Sequence, residues 1–444
     1  MALKSSPKGS KPDLNPDLAA RNAALYVFQC VVIHRRAVND TFDEAVQALE
    51  PRNRAFVRML VATTLRRLGQ IDAVLAGFLT RDPPDVIRDC LRLGAAQVLF
   101  LGTAPHAAVA TTVGLARLRN QERLTGLCNA VMRKIVTEGP ALVAAHDPAR
   151  LNCPDWLWQS WAAAYGPDVA AQIALAHLGE PPTDFSLKDN SAAEAWAARL
   201  EATVLPTGAL RRFATGRVAD MEGFKEGAWW VQDAAAALPA KILLHGLGDA
   251  KAANVIDLCA APGGKSAQLA AAGCRVTSVD LADARLHLLR DNLVRLRLYA
   301  NVVTGDALEW RPNAPADAVL LDAPCSATGT LRRHPDLPFL KQAGDIAGFA
   351  QNQRRLLAAA VDMVKPGGLL LYSVCSLQPE ESHQVVDAVL ANDRRITQIP
   401  ISADAVGGAS ELLTATGALR TFPCHWAAQG GMDGFFGALL RRAA

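Results

Sequence analysis

The chain has 444 residues, of which 50% are apolar and 20% charged, so we expect a folded protein of about two or three domains. It has no apolar run long enough to span a membrane and no apolar signal-peptide core near its start, so we expect a cytoplasmic protein without a membrane segment. The net charge of +3 hides an asymmetry: residues 1–150 hold 20 Lys and Arg against 13 Asp and Glu, and the remainder holds 26 against 30. A basic N-terminal region favours a polyanion-binding module, although ordinary solvated arginines would give the same count.

Residues 1–17 are expected to form a flexible tail, and the region that follows is predicted to be a helical bundle over residues 18–142. Apolar residues there recur at spacings of three and four, as in packed helices. The predicted helices are Ala20–Ile33, Thr41–Leu49, Arg52–Leu68, Ile71–Leu79, Val86–Leu101 and Ala107–Arg119. Their arginines (Arg35, Arg36, Arg52, Arg54, Arg58, Arg66 and Arg67) form either a solvated face or a phosphate-binding one.

Residues 143–240 are predicted to be a connector followed by a small α+β subdomain. Within them, residues 181–230 carry short strand-like pieces such as Ala202–Leu205, but their arrangement is not predicted.

From residue 241 we expect a third domain, in which strands and helices alternate. The predicted strands are Ala253–Leu258, Arg275–Val279, Asn301–Val303, Ala316–Leu321 and Leu369–Val374. The predicted helices are Ser266–Ala272, Ala282–Arg297, Phe349–Val364 and Glu380–Leu390. This order indicates a mostly parallel sheet with helices on both faces, which binds ligands at the carboxyl ends of its strands.

A glycine pair, Gly263-Gly264, lies between the first of these strands and its helix, where the backbone can approach a ligand closely. The second and third strands end at Asp280 and Asp306. Each aspartate alone could be a helix cap, but an acid at the second strand end can also bind ribose hydroxyls. Together, the three strand ends favour a nucleoside-containing cofactor.

Nine cysteines occur, with no CxxC pair and no Cys/His cluster of zinc-ligand spacing, so we expect reduced thiols and no metal. Two of them, Cys325 and Cys375, follow the fourth and fifth strands, on the side of the sheet where the cofactor is expected. Buried structural cysteines usually lie within strands and helices instead. Asp322, beside them, could contact the edge of a base.

Such a pair suits methylation of a pyrimidine. Carbon-5 of cytosine is a poor nucleophile until a thiolate adds to carbon-6 and makes the ring enamine-like. A second thiol could help the final elimination, and the base would have to leave any stack to reach the site.

These motifs resemble the RNA cytosine-C5 methyltransferase superfamily, specifically its bacterial Sun/RsmB (Fmu) branch, over nearly the whole chain. The resembling strings are DLCAAPGGKS from Asp257, DAPCSATGTLRRHPD from Asp322 and YSVCSLQPEES from Tyr372. Gly227–Asp233 resembles the segment entering the methyltransferase domain, and Asp433–Phe436 the final strand. The helical N-terminal region, especially Gly126–Arg133, resembles a NusB-like RNA-binding domain.

The resemblance implies a multidomain fold: an all-α NusB-like bundle, a small α+β subdomain and a C-terminal α/β Rossmann-like class I methyltransferase domain. It implies methylation of a cytosine in small-subunit (16S) ribosomal RNA, with Cys375 as nucleophile and Cys325 assisting product release. Arg332, Arg333 and His334 would lie near the RNA. The residues implied to contact S-adenosylmethionine are Cys259, Ala260, Ala261, Pro262, Gly263, Gly264, Lys265, Asp280, Asp306 and Asp322. We expect a monomer.

The chain departs from the family pattern at two positions. Val374 stands where threonine usually precedes the nucleophile, and Ser382 where asparagine usually follows the paired glutamates. Neither change removes a group that the mechanism needs, but both bear on rate and substrate.

Two alternatives stay open, and a third is disfavoured. The same chemistry could act on transfer RNA, or the chain could be a non-catalytic RNA-binding or assembly factor. An amino-group methyltransferase is disfavoured, since such enzymes place Asp/Asn-Pro-Pro-aromatic after the fourth strand, where this chain has Asp322-Ala-Pro-Cys325.

Overall fold

The structure is a computed structural model that describes residues 15–214 and 216–444. The helices are α1 (Pro16–Val32), α2 (Val38–Val46), α3 (Pro51–Arg66), α4 (Leu68–Phe78), α5 (Asp85–Leu99), α6 (Pro105–Leu118), α7 (Thr125–Ala145), α8 (Pro148–Asn152), α9 (Asp155–Tyr165), α10 (Pro167–Ala176), α11 (Ala193–Arg199), α12 (Leu238–Leu247), α13 (Gly264–Ala271), α14 (Asp283–Leu296), α15 (Leu337–Leu340), α16 (Asp345–Met363) and α17 (His383–Asn392). The strands are β1 (Thr183–Leu187), β2 (Thr203–Val204), β3 (Leu210–Arg212), β4 (Trp229–Val231), β5 (Asn254–Leu258), β6 (Arg275–Asp280), β7 (Asn301–Thr304), β8 (Ala316–Asp322), β9 (Val364–Val374), β10 (Ile396–Gln398), β11 (Leu419–Arg420) and β12 (Phe436–Arg442). No helix among the described residues is long and apolar enough to cross a membrane.

The first compact unit runs to Asp155 and also includes Pro335–Leu340. It is the predicted helical bundle, with Phe28, Leu60 and Leu91 fully buried in one apolar core. Helices α1, α3 and α6 each begin with a proline in the first turn, where its missing N–H costs nothing. The predicted starts of α3 and α6 are late because proline usually breaks a helix, whereas in the first turn it is tolerated.

Of the predicted tail, residues 1–14 lie outside the described residues, whereas Pro16 and Asp17 belong to α1. Asn15 caps this helix: its side-chain oxygen accepts a hydrogen bond from the Asp17 amide at 2.9 Å.

The second unit, Trp156–His334 with Lys341–Ala444, contains two sheets. The smaller is antiparallel, in the order β2-β3-β1-β4, and is the subdomain whose arrangement the sequence left unassigned. Its core holds Phe185 against Trp229, edge to face, with ring centroids 4.7 Å apart.

The larger sheet has the order β10-β12-β9-β8-β5-β6-β7, with β11 paired to β12. Strands β9, β8, β5, β6 and β7 are parallel, and β12 is antiparallel to β9. Successive side chains of a strand point to opposite faces of the sheet, and an apolar core covers each face. Val255 therefore belongs to one core and its neighbour Ile256 to the other. The strand order reverses between β5 and β8, and a crevice opens beyond the carboxyl ends of such a pair.

Candidate active site

The loop between β5 and α13 forms one wall of the site. Gly263 adopts φ = 103°, a conformation that favours glycine, and α13 begins at the next residue. A side chain on Gly263 would meet Leu289 at 2.7 Å, and one on Gly264 would meet Gln232 at 3.2 Å. The two glycines therefore allow the loop to pack closely against Leu289 and Gln232 at the start of α13.

A cavity of about 490 Å³ lies beside this loop. Its lining includes every residue from Cys259 to Lys265, together with Asp257 and Asp322. The volume suits a nucleoside-sized ligand. Asp280 and Asp306, which were also predicted to contact the cofactor, are not among the lining residues.

Asp280 and Asp306 instead bind nearby backbone amides. Asp280 accepts hydrogen bonds from the amides of Ala261 and Ala282, both at 3.0 Å. Asp306 accepts one from the amide of Leu308 at 2.9 Å. Asp280 thus fixes the glycine-containing loop, and its predicted contact with a ribose stays a prediction.

Asp257 is a buried acid to which the sequence analysis gave no role. One carboxyl oxygen accepts a hydrogen bond from Ser266 at 2.5 Å, and the other is buried without a partner among the described residues. Burial raises the pKa of this carboxyl to about 7. Asp257 is also among the residues that line the cavity. In the sequence, Asp257 lies one residue before the end of β5, the first strand of the third domain, and this position was the signal that could have pointed to it.

Asp322 lines the cavity and lies three residues before Cys325 in the chain. One of its oxygens accepts a hydrogen bond from the Lys265 ammonium at 2.6 Å, and the other accepts one from Ser373 at 2.8 Å. Burial lowers the pKa of Lys265, but the charge of Asp322 outweighs it and the pKa lies above its usual value. Asp322 is therefore held between β9 and the loop that precedes α13.

Cys325 and Cys375 lie together, as their predicted places after neighbouring strands required. Strands β8 and β9 pair in parallel with Asp322 opposite Ser373, and the two sulfur atoms are 3.4 Å apart. The hydrogen bond to Cys375 raises the pKa of the Cys325 thiol well above its usual value, and burial adds to the effect. Cys325 therefore holds its proton and can donate it in a hydrogen bond to the Cys375 sulfur.

The two positions that depart from the family pattern have structural roles. Val374 is fully buried in β9. The Ser382 hydroxyl donates hydrogen bonds to the carbonyl oxygens of Gln378 at 2.9 Å and Pro379 at 3.2 Å. Ser382 thus stabilises the turn that follows the Cys375 loop.

Arg332, which was predicted to lie near the RNA, is almost fully buried. Its side chain is 2% exposed, and its guanidinium donates to Asp233 and to Asp433, both at 2.8 Å. Arg333 pairs with the same carboxylates at 2.5 and 3.0 Å but keeps 24% of its side chain exposed. Arg332 is thus used inside the fold. For Arg333, which lines the cavity, and for the exposed His334, RNA contact stays a prediction.

This buried network also affects protonation. Burial raises the pKa of Asp233, but Arg333 and Arg332 outweigh it and hold the pKa well below its usual value. The partners lie about 100 residues from Arg332 in the chain, so no local pattern could have indicated them.

Comparison with known proteins identifies the family. The pattern of the family described as 16S rRNA methyltransferase RsmB/F matches residues 246–441, and that of the NusB family matches residues 18–137. The ribosomal RNA small subunit methyltransferase B of Vibrio cholerae is 34% identical over 391 residues, which cover 84% of this chain and 88% of that protein. The protein of the same name from Pseudomonas putida is 33% identical over 455 residues, which cover 97% of this chain and 99% of that protein.

The fold agrees. The crystal structure of PH0851 superposes with a TM-score of 0.75 at 23% identity, covering 98% of this chain and 100% of that one. The resemblance inferred from the motifs is confirmed, and the chain belongs to the RsmB/F family of 16S rRNA methyltransferases, with a NusB domain at its N-terminal end.

Proposed function

We propose that this protein transfers a methyl group to carbon-5 of a cytosine in 16S ribosomal RNA, through a covalent bond between Cys375 and carbon-6 of the base. The observation that carries the proposal is the 3.4 Å separation of the Cys325 and Cys375 sulfurs at the ends of adjacent parallel strands. A lone structural thiol needs no such partner. The ribosomal substrate is inferred from the names of the relatives.

S-adenosylmethionine, when bound, would supply the methyl group. The fit rests on a cavity of about 490 Å³ that is lined by the glycine-containing loop before α13, from Cys259 to Lys265, and by Asp257. Lys265 and Asp322 would complete the polar lining.

The roles of the two cysteines follow from their environments. The Cys325 thiol, whose pKa is raised, donates a hydrogen bond that stabilises a Cys375 thiolate for attack on carbon-6. After methylation, carbon-5 must lose its proton so that the bond between Cys375 and carbon-6 can break. Cys325 would accept this proton as a thiolate, after its own proton has passed to solvent, and the electron pair of the broken carbon–hydrogen bond would expel Cys375 as a thiolate.

The experiment separates the two thiols by substitution. Cys375→Ala should reduce methylation by at least about 10³-fold and form no adduct. Cys325→Ala should accumulate a covalent protein–RNA complex, visible as a slowly migrating band on a denaturing gel. Cys424→Ala, which changes a partly buried thiol outside the pair, is the control and should behave like the wild type. An active Cys375→Ala variant, or an adduct formed by it, would overturn the proposal.

A further inference from the structure

Glu381 is a buried carboxylate that the proposed mechanism does not use. It is 0% exposed and ends the short turn Pro379–Glu381 that follows the Cys375 loop. An ionised carboxylate removed from water is costly unless charge-assisted hydrogen bonds replace its hydration. The groups that donate hydrogen bonds to Glu381 therefore indicate which parts of the structure it holds in place.

Four hydrogen bonds reach this carboxylate. One oxygen accepts from the Ser326 amide at 2.9 Å and from the Gln353 side chain at 3.0 Å. The other accepts from the Ser376 hydroxyl at 2.6 Å and from the Ser326 hydroxyl. The two serine hydroxyls are also within 3.1 Å of each other.

The positions of these donors are informative. Ser326 directly follows Cys325, and Ser376 directly follows Cys375. One carboxylate thus joins the two loops at the residue next to each sulfur. Gln353 adds a link to helix α16, since its amide also donates to the carbonyl of Pro324 at 2.9 Å.

We propose that Glu381 is a positioning residue that fixes the separation and orientation of the Cys325 and Cys375 sulfurs. The inference rests on the proposed function for its catalytic meaning. A glutamine would replace it poorly, because it removes the charge that strengthens all four bonds and keeps only one accepting oxygen, and the two serine hydroxyls would have to turn from donating to accepting. The loops would then relax, and a displacement of about 1 Å in a reacting group can cost roughly 100-fold in rate.

The test compares Glu381→Gln with Glu380→Gln, a neutralised but exposed neighbour. In Glu381→Gln, kcat should fall about 10- to 100-fold while KM for S-adenosylmethionine stays within about twofold. Diamide, which oxidises two adjacent thiols to a disulfide, gives an independent measure of sulfur proximity. The rate of Cys325–Cys375 disulfide formation should fall in Glu381→Gln and stay at the wild-type value in Glu380→Gln.

If Glu381→Gln does not fold, Ser326→Ala and Ser376→Ala each remove one bond to the carboxylate and should lower both kcat and the diamide rate by smaller factors. Wild-type values of both quantities in whichever of these variants folds would overturn the inference. The diamide measurement needs no RNA, so it tests the sulfur geometry even if Cys375→Ala proves that the proposed function is wrong.

Discussion

Two acids near the ends of adjacent strands, Asp257 and Asp322, have opposite surroundings. Asp322 pairs with the Lys265 ammonium at 2.6 Å, whereas Asp257 has a single hydroxyl partner and one unpartnered oxygen. The pKa of Asp257 is raised to about 7 by its burial. The same residue type thus supplies an ion-paired link at one strand end and a carboxyl that holds its proton near neutral pH at the other.

The raised pKa of Asp257 makes stability depend on pH. The folded state binds this proton more tightly than the unfolded state, so its contribution is complete below the ordinary value of 3.8 and is lost as pH rises through about 7. Asp257→Asn cannot ionise. The melting temperature of this variant minus that of the wild type should therefore increase by several degrees between about pH 4 and about pH 7. Asp291→Asn, at an exposed position on α14, serves as control, and a pH-independent difference for Asp257→Asn would contradict the argument.

Arg332 should matter for stability rather than for binding RNA. Arg332→Met keeps most of the side-chain volume but leaves Asp233 and Asp433 with less compensating charge, which should cost about 3 kcal/mol or more in the free energy of unfolding. The exposed Arg354→Met variant should melt close to the wild type. Urea unfolding measures the difference. Weaker RNA binding by a normally stable Arg332→Met variant would instead support the original prediction.

Among the secondary-structure elements, the alternation of strands and helices after residue 241 was predictable because each buried strand is a short apolar run. The small sheet was not predictable, since three of its strands have only two or three residues, too few to display a period of two.

The start of α17 was predicted at Glu380 but lies at His383, because Pro379–Glu381 form a separate turn. The local sequence does not reveal the hydrogen bonds to Glu381 that accompany this turn.

The final strand was also misplaced. Asp433–Phe436 was predicted, whereas β12 begins at Phe436. The residues before it form an irregular segment, in which the Gly434 amide donates to the carbonyl of Gly329, in the Cys325 loop, at 2.8 Å. A contact between loops more than 100 residues apart has no signature in either segment.

That contact predicts a specific effect of adding one methyl group. In Gly329→Ala the new carbon would lie 2.0 Å from the carbonyl oxygen of Gly434, so the backbone must shift, at a cost of about 1–3 kcal/mol, and methyl transfer should fall. Gly348→Ala is the matched control. It lies on helix α16 with nothing within 4 Å, and should stabilise the protein by up to about 1 kcal/mol. Equal melting temperatures and activities for the two variants would contradict this account of the loop packing.

At the level of the whole molecule, a helical bundle followed by an α/β domain was correctly predicted. The boundaries at residues 142 and 240 stay predictions. The first compact unit ends at Asp155 and also includes Pro335–Leu340, a segment that interrupts the second unit in the sequence. That segment belongs with the bundle through long-range contacts: the Asp336 carboxylate accepts a hydrogen bond from the Val38 amide at 2.9 Å, and Phe339 packs against the bundle core. Domain membership set by such contacts is invisible to composition and periodicity.

The central claim, cytosine-C5 methylation of 16S ribosomal RNA, is tested most directly by bisulfite sequencing of ribosomal and transfer RNA from cells with and without the gene. Methylated cytosines resist conversion to uracil. The account predicts that one protected cytosine in 16S ribosomal RNA disappears without the gene and returns with the wild-type protein but not with Cys375→Ala. Loss confined to transfer RNA, or no loss in any RNA, would contradict it.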